Sequence, residues 1–367
     1  MFRIREIISV LEQVAPLYLQ ESYDNSGLIV GDPEQLVGKA LLCIDSTEAV
    51  IDEAIAKDCR LIIAHHPIVF DGLKQFTGRN YVQRAVMKAI RNDIAIYACH
   101  TNLDNVFRGG VNQKIAQKLG IIPTKVLRPM PGTIEKLVVY VPTEQAESVK
   151  NALFSAGAGH IGNYDECAFS FSGNGSFRPN EASNPSVGVA GRRELIQEVR
   201  IEVVVPVWLK SQVFSAIQKV HPFEEIAHDW QRLQNTHFEF GSGIFGTLSQ
   251  PMDSNDFLHF IKDSLELKVL KYTPITSKKI NTVAICGGAG SFLISDALQA
   301  GADAFLTSDI KYHAFFDAEQ TMLLCDVGHY ESEKYTIELF STILSEKLPN
   351  FATIFTDTNT NPIDYLI

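Results

Sequence analysis

Short apolar runs that stop abruptly at histidine or acidic residues punctuate this chain. Leu61-Ile62-Ile63-Ala64 leads into His65-His66-Pro67, Ile94 to Cys99 into His100-Thr101-Asn102-Leu103-Asp104, and Met322 to Cys325 into Asp326-Val327-Gly328-His329-Tyr330-Glu331-Ser332-Glu333. Runs this short, apolar without alternation, predict strands buried on both faces, each delivering polar side chains at its end. Elsewhere the period lengthens to that of a helix. Ile4, Ile7, Ile8, Leu11 and Val14 stripe an amphipathic helix within Met1 to Gln20, and Ile337, Phe340, Ile343 and Leu344 recur at helical spacing in Lys334 to Leu344.

The pattern occurs twice. Aligning Cys43 with Cys286 without gaps sets Leu41-Leu42-Cys43 against Ala284-Ile285-Cys286, helix-like Glu48 to Ala56 against Leu293 to Gln299, and Leu61 to Ala64 against Ala304 to Thr307. His65-His66 then falls opposite Ser308-Asp309. Two generic βαβ units can match in this way by chance. In either case strands joined by single helices are expected to run parallel and to gather ligands outside their carboxyl ends.

The middle of the chain differs. Lys136 to Val141, Arg200 to Val205 and Ile226 to Leu233 read as strands, and Gln145 to Ala156 and Lys210 to Val220 as helices. Ser170 to Gly191, rich in Gly, Ser, Asn and Pro, reads as a hairpin with a long mobile tip. The expectation is a βαββαβ domain of the ferredoxin type at residues 128–245, inserted into a discontinuous core of residues 1–127 and 246–367.

With 367 residues, 46% of them hydrophobic, the chain can bury a large core in two or three domains. A formal net charge of -11 argues against non-specific nucleic-acid binding, which needs Lys and Arg to neutralise phosphates. No run is long enough to span a membrane, and Arg3, Arg5, Glu6 and Glu12 make the first helix unlike a signal peptide. Cys43, Cys99, Cys286 and Cys325 lie in strand-like runs, which predicts buried thiols rather than disulfides and a reducing cytoplasm.

Neutral imidazole suits zinc, iron, nickel or copper, and a buried strand end holds one more rigidly than a loop tip does. Alone, His65-His66 read equally as a metal site or as exposed histidines at a strand end. His329 and Glu333, four apart on a predicted helix, share a face and are placed to share one metal or bridge a pair. Asp104, like them, follows a strand. Cys286-Gly287-Gly288-Ala289-Gly290-Ser291 lacks a P-loop lysine and reads as a tight strand-to-helix turn ahead of a phosphate cradle. His221-Pro222-Phe223-Glu224-Glu225 reads as the entry to a strand, not a third metal site.

The combination of Tyr23-Asp24-Asn25-Ser26-Gly27-Leu28, His65-His66-Pro67, His100 to Asp104 with Gly109-Gly110-Val111-Asn112, Gly287 to Ser291, and Gly328 to Glu333 resembles the GTP cyclohydrolase 1 type 2 family, also called NIF-three-like. Gly157 to Tyr164 with His221 to Glu225 resembles the extra domain of its longer bacterial members. The resemblance implies a three-layer α/β core made of two pseudo-repeated halves with an inserted ferredoxin-like domain. It implies two divalent ions on residues matching His65, His66, Asp104, His329 and Glu333, with Asp104 or Glu333 bridging. Zinc and iron lead, with manganese, cobalt and nickel open, and a toroidal homohexamer is the implied assembly. Tyr23 stands where members often carry Trp, and Ser308-Asp309 where a Gly-Glu pair is common.

Paired ions can acidify a water and polarise a carbonyl, imine or phosphoryl oxygen, so hydrolysis of a nucleotide such as GTP is the expected class of reaction. His100, His313, Lys311 and Asn25 are candidate groups around the substrate, each with an ordinary structural role as its alternative. No catalytic residue and no organic cofactor is assigned. A non-catalytic metal-handling or scaffold protein is the competing reading.

Overall fold

The computed structural model describes residues 1–275 and 279–366. It divides into two units, Met1–Pro129 with Glu239–Ile367, and Met130–Phe238. The chain is back in the first unit by Glu239 because Gly241–Met252 pairs directly with Ile121–Pro129, Gly241 opposite Pro129.

Among the described residues the first unit holds two large sheets and a two-stranded one, Phe2–Arg3 with Leu36–Val37; the large sheets position the site. One has the order Ala352–Phe355, Lys39–Cys43, Leu61–Ala64, Ala95–Ala98, Gly27–Val30; the other has the order Lys271–Tyr272, Leu323–Asp326, Ala304–Thr307, Ile280–Ile285, Gly241–Met252, Ile121–Pro129. The strands expected from the matched segments run parallel: Lys39–Cys43, Leu61–Ala64 and Ala95–Ala98 in the first sheet, Ile280–Ile285, Ala304–Thr307 and Leu323–Asp326 in the second. Antiparallel strands added at the edges, Gly27–Val30 in one sheet and Lys271–Tyr272 and the Gly241–Met252 pair in the other, make both sheets mixed.

Burial explains the unbroken apolar runs. On one face of the first sheet Leu41, Ile62, Ala64 and Ile96 pack against Val50, Ile51 and Ala54 of helix Glu48–Ala56 and Ala85, Val86 and Ala89 of helix Tyr81–Arg91. The alternate residues Leu42, Ile63 and Tyr97 are buried too, so both faces are covered. The second sheet repeats this, with Ala284, Phe305 and Leu324 against Leu293, Ile294 and Ala297, while Ile285, Leu306 and Cys325 are buried on the other face. Each fully buried Leu, Ile or Phe contributes about 1.5–3 kcal/mol, which fixes the strands whose ends carry the polar residues. Polar caps set the helix starts: the Thr47 hydroxyl accepts from the Val50 N–H and Asn80 from that of Gln83.

The second unit runs βαββαβ: Ile134–Pro142, Ala146–Ser155, Ala168–Phe177, Glu194–Pro206, Lys210–Gln218 and His228–Arg232. Its antiparallel sheet has the strand order fourth, first, third, second, over a core that includes Leu137, Val139, Val149, Leu153, Ile201, Val203, Val213 and Ile217. Ala168–Phe177 pairs with Glu194–Pro206 as the arm of a hairpin, so part of the Gly- and Ser-rich segment is strand. Among the described residues no helix is long and apolar enough to cross a membrane.

Candidate metal centre

Strand ends from the two large sheets of the first unit converge. His65 and His66 extend the ladder of their strand, with N–H groups donating to the carbonyls of Cys43 and Ile44, which fixes the backbone of both. The His65 side chain is fully buried, and its Nδ1–H donates to the Cys99 carbonyl at 2.9 Å, so Nε2 points the other way. His66 Nδ1–H donates to Asp45 Oδ1 at 2.8 Å. Asp104 closes the turn Thr101–Asp104 that follows Ala95–Ala98. From the second sheet, His329 and Glu333 occupy the short helix His329–Glu333, and His329 Nδ1–H donates to Asp309 Oδ2 at 2.6 Å.

Glu333 is common to two groups of donors. His65 Nε2 lies 3.7 Å from both Asp104 Oδ1 and Glu333 Oε1. Glu333 Oε2 lies 2.9 Å from His66 Nε2 and 3.1 Å from His329 Nε2, and those two nitrogens are 3.4 Å apart. The groups His65, Asp104, Glu333 and His66, His329, Glu333 each gather ligand atoms tightly enough to hold one ion, as do His65, His66 and His100.

The donors fit a divalent metal. His65 Nε2 and Asp104 Oδ1 are buried without a hydrogen-bond partner, a state that costs about 1–3 kcal/mol per atom. At 3.7 Å they are too far apart to bond each other, yet ligands about 2.1 Å from one ion stand roughly that far apart. A cation satisfies both at once.

The electrostatics of the side chains agree. Burial alone would lower the pKa of His66, but Asp45 and Glu333 raise it to about 10. Burial likewise opposes the charge on His329, and Glu333 and Asp309 raise its pKa to about 9. Glu333 is buried, which favours its acid form, yet His65, His329 and His66 hold its pKa well below the ordinary value. Asp104, dominated by burial, is pushed up. Burial opposes charge on His65 too, but Asp104 and Glu333 push its pKa up, so positive charge is favoured between these carboxylates.

A cavity of about 550 Å³ opens over the cluster. Its lining includes His66, His100, Asp104, His329 and Glu333, the aromatic Tyr23, Phe70, Tyr81 and Phe292, and no Lys or Arg among the described residues. His100 donates from Nδ1 to Asp24 Oδ1 at 2.8 Å, and its ring stands 5.3 Å from that of His65. Burial favours the acid form of Asp24, but His100, Thr101 and the Asn25 N–H outweigh it and hold the carboxyl far below its usual range. Asn25 has a structural task, donating to the Val69 carbonyl at 2.7 Å. His313 and Lys311 are exposed and outside the lining.

The glycine-rich turn makes room for Glu333. Gly288 has φ +61°, and a Cβ there would sit 2.2 Å from Glu333 Oε1. The N–H groups of Gly287, Gly288 and Gly290 donate to Asn112, Ser332 and Thr307, so they do not form a phosphate cradle. In the second unit, both ring nitrogens of His221 are engaged, with the Tyr140 carbonyl and the Phe223 N–H, leaving no lone pair for a metal. Cys43, Cys99, Cys286 and Cys325 are free and buried, and burial pushes each thiol's pKa up.

Sequence reasoning missed the carboxylates that orient the imidazoles, Asp45 and Asp309, and the hydroxyl of Thr360, which donates to Asp45 Oδ2 at 2.7 Å. The Ser308-Asp309 pair, which falls opposite His65-His66 in the internal match, was the one signal available.

Fold and site together define an α/β protein whose strand ends gather a histidine and carboxylate cluster suited to a metal ion. The chain belongs to the Duf34/NIF3 (NGG1p interacting factor 3) family, whose model matches residues 2–362. Among its relatives, a Bacillus subtilis protein named "GTP cyclohydrolase 1 type 2 homolog" is 38% identical over 99% of this chain and 98% of its own. One of the same name from Staphylococcus aureus strain MSSA476 is 32% identical over 99% and 100%. The crystal structure of a Bacillus cereus protein related to NIF3 is 37% identical, covers 100% of this chain and 99% of its own, and has a TM-score of 0.86. A Staphylococcus aureus structure is 28% identical over 100% and 99%, with a TM-score of 0.78.

Proposed function

We propose that this protein is a divalent-metal-dependent hydrolase acting on a nucleotide or related small molecule, with a dinuclear centre that would be held by His65, Asp104, His66, His329 and Glu333. The observation that carries it is Glu333, which turns one oxygen to each group of donors beside the unpartnered His65 Nε2 and Asp104 Oδ1. Its relatives' name supports a nucleotide. Two divalent ions held there would supply Lewis acidity, acidifying water and polarising an acceptor oxygen.

The chain's own residues do the rest. Cys99, Asp45 and Asp309 fix the tautomers of His65, His66 and His329. Asp24 orients the His100 ring beside that of His65. Tyr23, Phe70, Tyr81 and Phe292 suit a planar ring in the cavity. The same reading makes the ions zinc or iron, the core a pair of pseudo-repeated three-layer halves, the second unit a ferredoxin-like insert, and the assembly a cytoplasmic toroidal hexamer.

The test is elemental mass spectrometry on untagged protein, followed by a nucleotide hydrolysis panel. About two equivalents of metal in wild type, falling sharply in His65→Ala and Glu333→Ala, is the expected result. Full occupancy in both variants would defeat the ligand assignment, and two equivalents without turnover would shift the reading to metal handling.

A further inference from the structure

The two halves of the centre are held differently. His65 is fully buried and oriented by a backbone carbonyl. His66 and His329 are oriented by the carboxylates Asp45 and Asp309, and His329 and Asp309 keep 34% and 54% of their side-chain surface exposed. The most exposed ligand candidate, His329, belongs to the His66 half, while Asp104 of the other half keeps 21% of its side-chain surface exposed against 17% for His66.

One of those carboxylates is gripped from far along the chain. Asp45 spends one oxygen on His66 and the other on the hydroxyl of Thr360. The segment that carries Thr360 follows strand Ala352–Phe355 and is anchored on both sides. Before it, the Thr356 and Thr358 hydroxyls donate to Glu53 Oε2 at 2.5 and 2.6 Å. After it, Asn361 Nδ2 donates to Glu331 Oε1 at 3.0 Å, on the short helix that bears His329 and Glu333. Thr360 and Pro362 also line the cavity. The segment links the carboxylate behind His66 to the helix that supplies the other two donors.

We propose that Thr360 is a positioning residue for the outer half of the centre. Through Asp45 it fixes the imidazole of His66, and so sets the exchange rate of the ion held by His66 and His329 far more than that of the ion on His65 and Asp104, which shares only Glu333 with it. This rests on the dinuclear reading above. Losing the hydrogen-bond partner of a ligating imidazole typically costs ten- to a hundredfold in metal affinity, so loss of a group one bond further out is expected at about tenfold.

The experiment loads the full chain with zinc and follows its release to a chromogenic chelator, with circular dichroism to verify folding. Wild type is expected to release about one equivalent fast and about one slowly. Thr360→Val, which removes the hydroxyl at near-constant volume, should speed the fast phase about tenfold and leave the slow phase alone, while Thr360→Ser stays near wild type. Asp45→Asn, which weakens the same link directly, should be at least as fast as Thr360→Val. Unchanged fast release in the Val variant, whatever the Asn variant does, or equal acceleration of both phases by Thr360→Val, overturns the proposal. A wild type that takes up no second equivalent of zinc removes the dinuclear reading along with it; two equivalents with an insensitive fast phase remove this inference alone.

Discussion

Gly288 shows how much of the centre depends on one missing methyl group. Its φ of +61° is costly for any other residue, and an added Cβ would meet Glu333 Oε1 at 2.2 Å. Gly301 shares the strain, at φ +75°, but has nothing within 4 Å of its would-be Cβ. Gly288→Ala and Gly301→Ala should each lose about 1–2 kcal/mol of stability, while only the first loses bound metal. Elemental analysis beside thermal melts separates the two effects, and equal metal content in both variants would sink the assignment of Glu333. The ligand candidates were legible because histidines and carboxylates stood directly after buried apolar runs. Asp45, Asp309 and Thr360 were not, since a lone Asp or Thr near a strand end is ordinary and its partner lies far off in sequence.

At the scale of elements, Glu53 on helix Glu48–Ala56 fastens the segment after Ala352–Phe355. Its carboxylate accepts from the Thr356 and Thr358 hydroxyls, the Asp357 N–H and Lys57 Nζ. Burial would raise its pKa, but Lys57, Thr356 and Thr358 lower it to about 2, against an ordinary 4.5. A folded-state pKa below the unfolded one stabilises the fold fully above pH 4.5 and loses that contribution as pH falls toward 2. Glu53→Gln should cost about 1–2 kcal/mol at pH 7 and nearly nothing at pH 2. Urea titrations at several pH values check this, and a penalty independent of pH would show that the charge is irrelevant. The central parallel strands were legible from unbroken apolar runs and Ile4–Val14 and Thr336–Lys347 from helical periodicity, but parallel Ala352–Phe355 and helices Tyr81–Arg91, Val111–Lys118 and Ser254–Ser264 were not. The antiparallel edges were not: Gly27–Val30 and Lys271–Tyr272 are short, and their direction is set by a partner strand elsewhere in the chain.

The two-unit organisation of the whole chain makes a stronger prediction. Every residue assigned here to the centre or to its support lies in Met1–Pro129 or Glu239–Ile367. The strands on either side of the second unit are themselves paired, Pro129 opposite Gly241 and Arg128 opposite Ser242, so the polypeptide leaves and re-enters the first unit at adjacent backbone positions. Closing that gap with a short Gly-Ser linker costs little loop entropy and leaves the ladder intact. The Val106 to Phe240 bridge and the hydrogen bond from the Phe107 N–H to the Glu239 carbonyl stay available, provided Glu239 and Phe240 are kept. A chain with residues 130–238 replaced in this way should unfold cooperatively and bind as much metal as the full protein, and residues 130–238 alone should fold around their own core of Leu137, Val149, Ile201 and Ile217. Circular dichroism and metal analysis of both pieces decide it. A trimmed chain that folds but binds no metal would mean that the first unit alone does not build the centre; one that keeps its metal would show that it does.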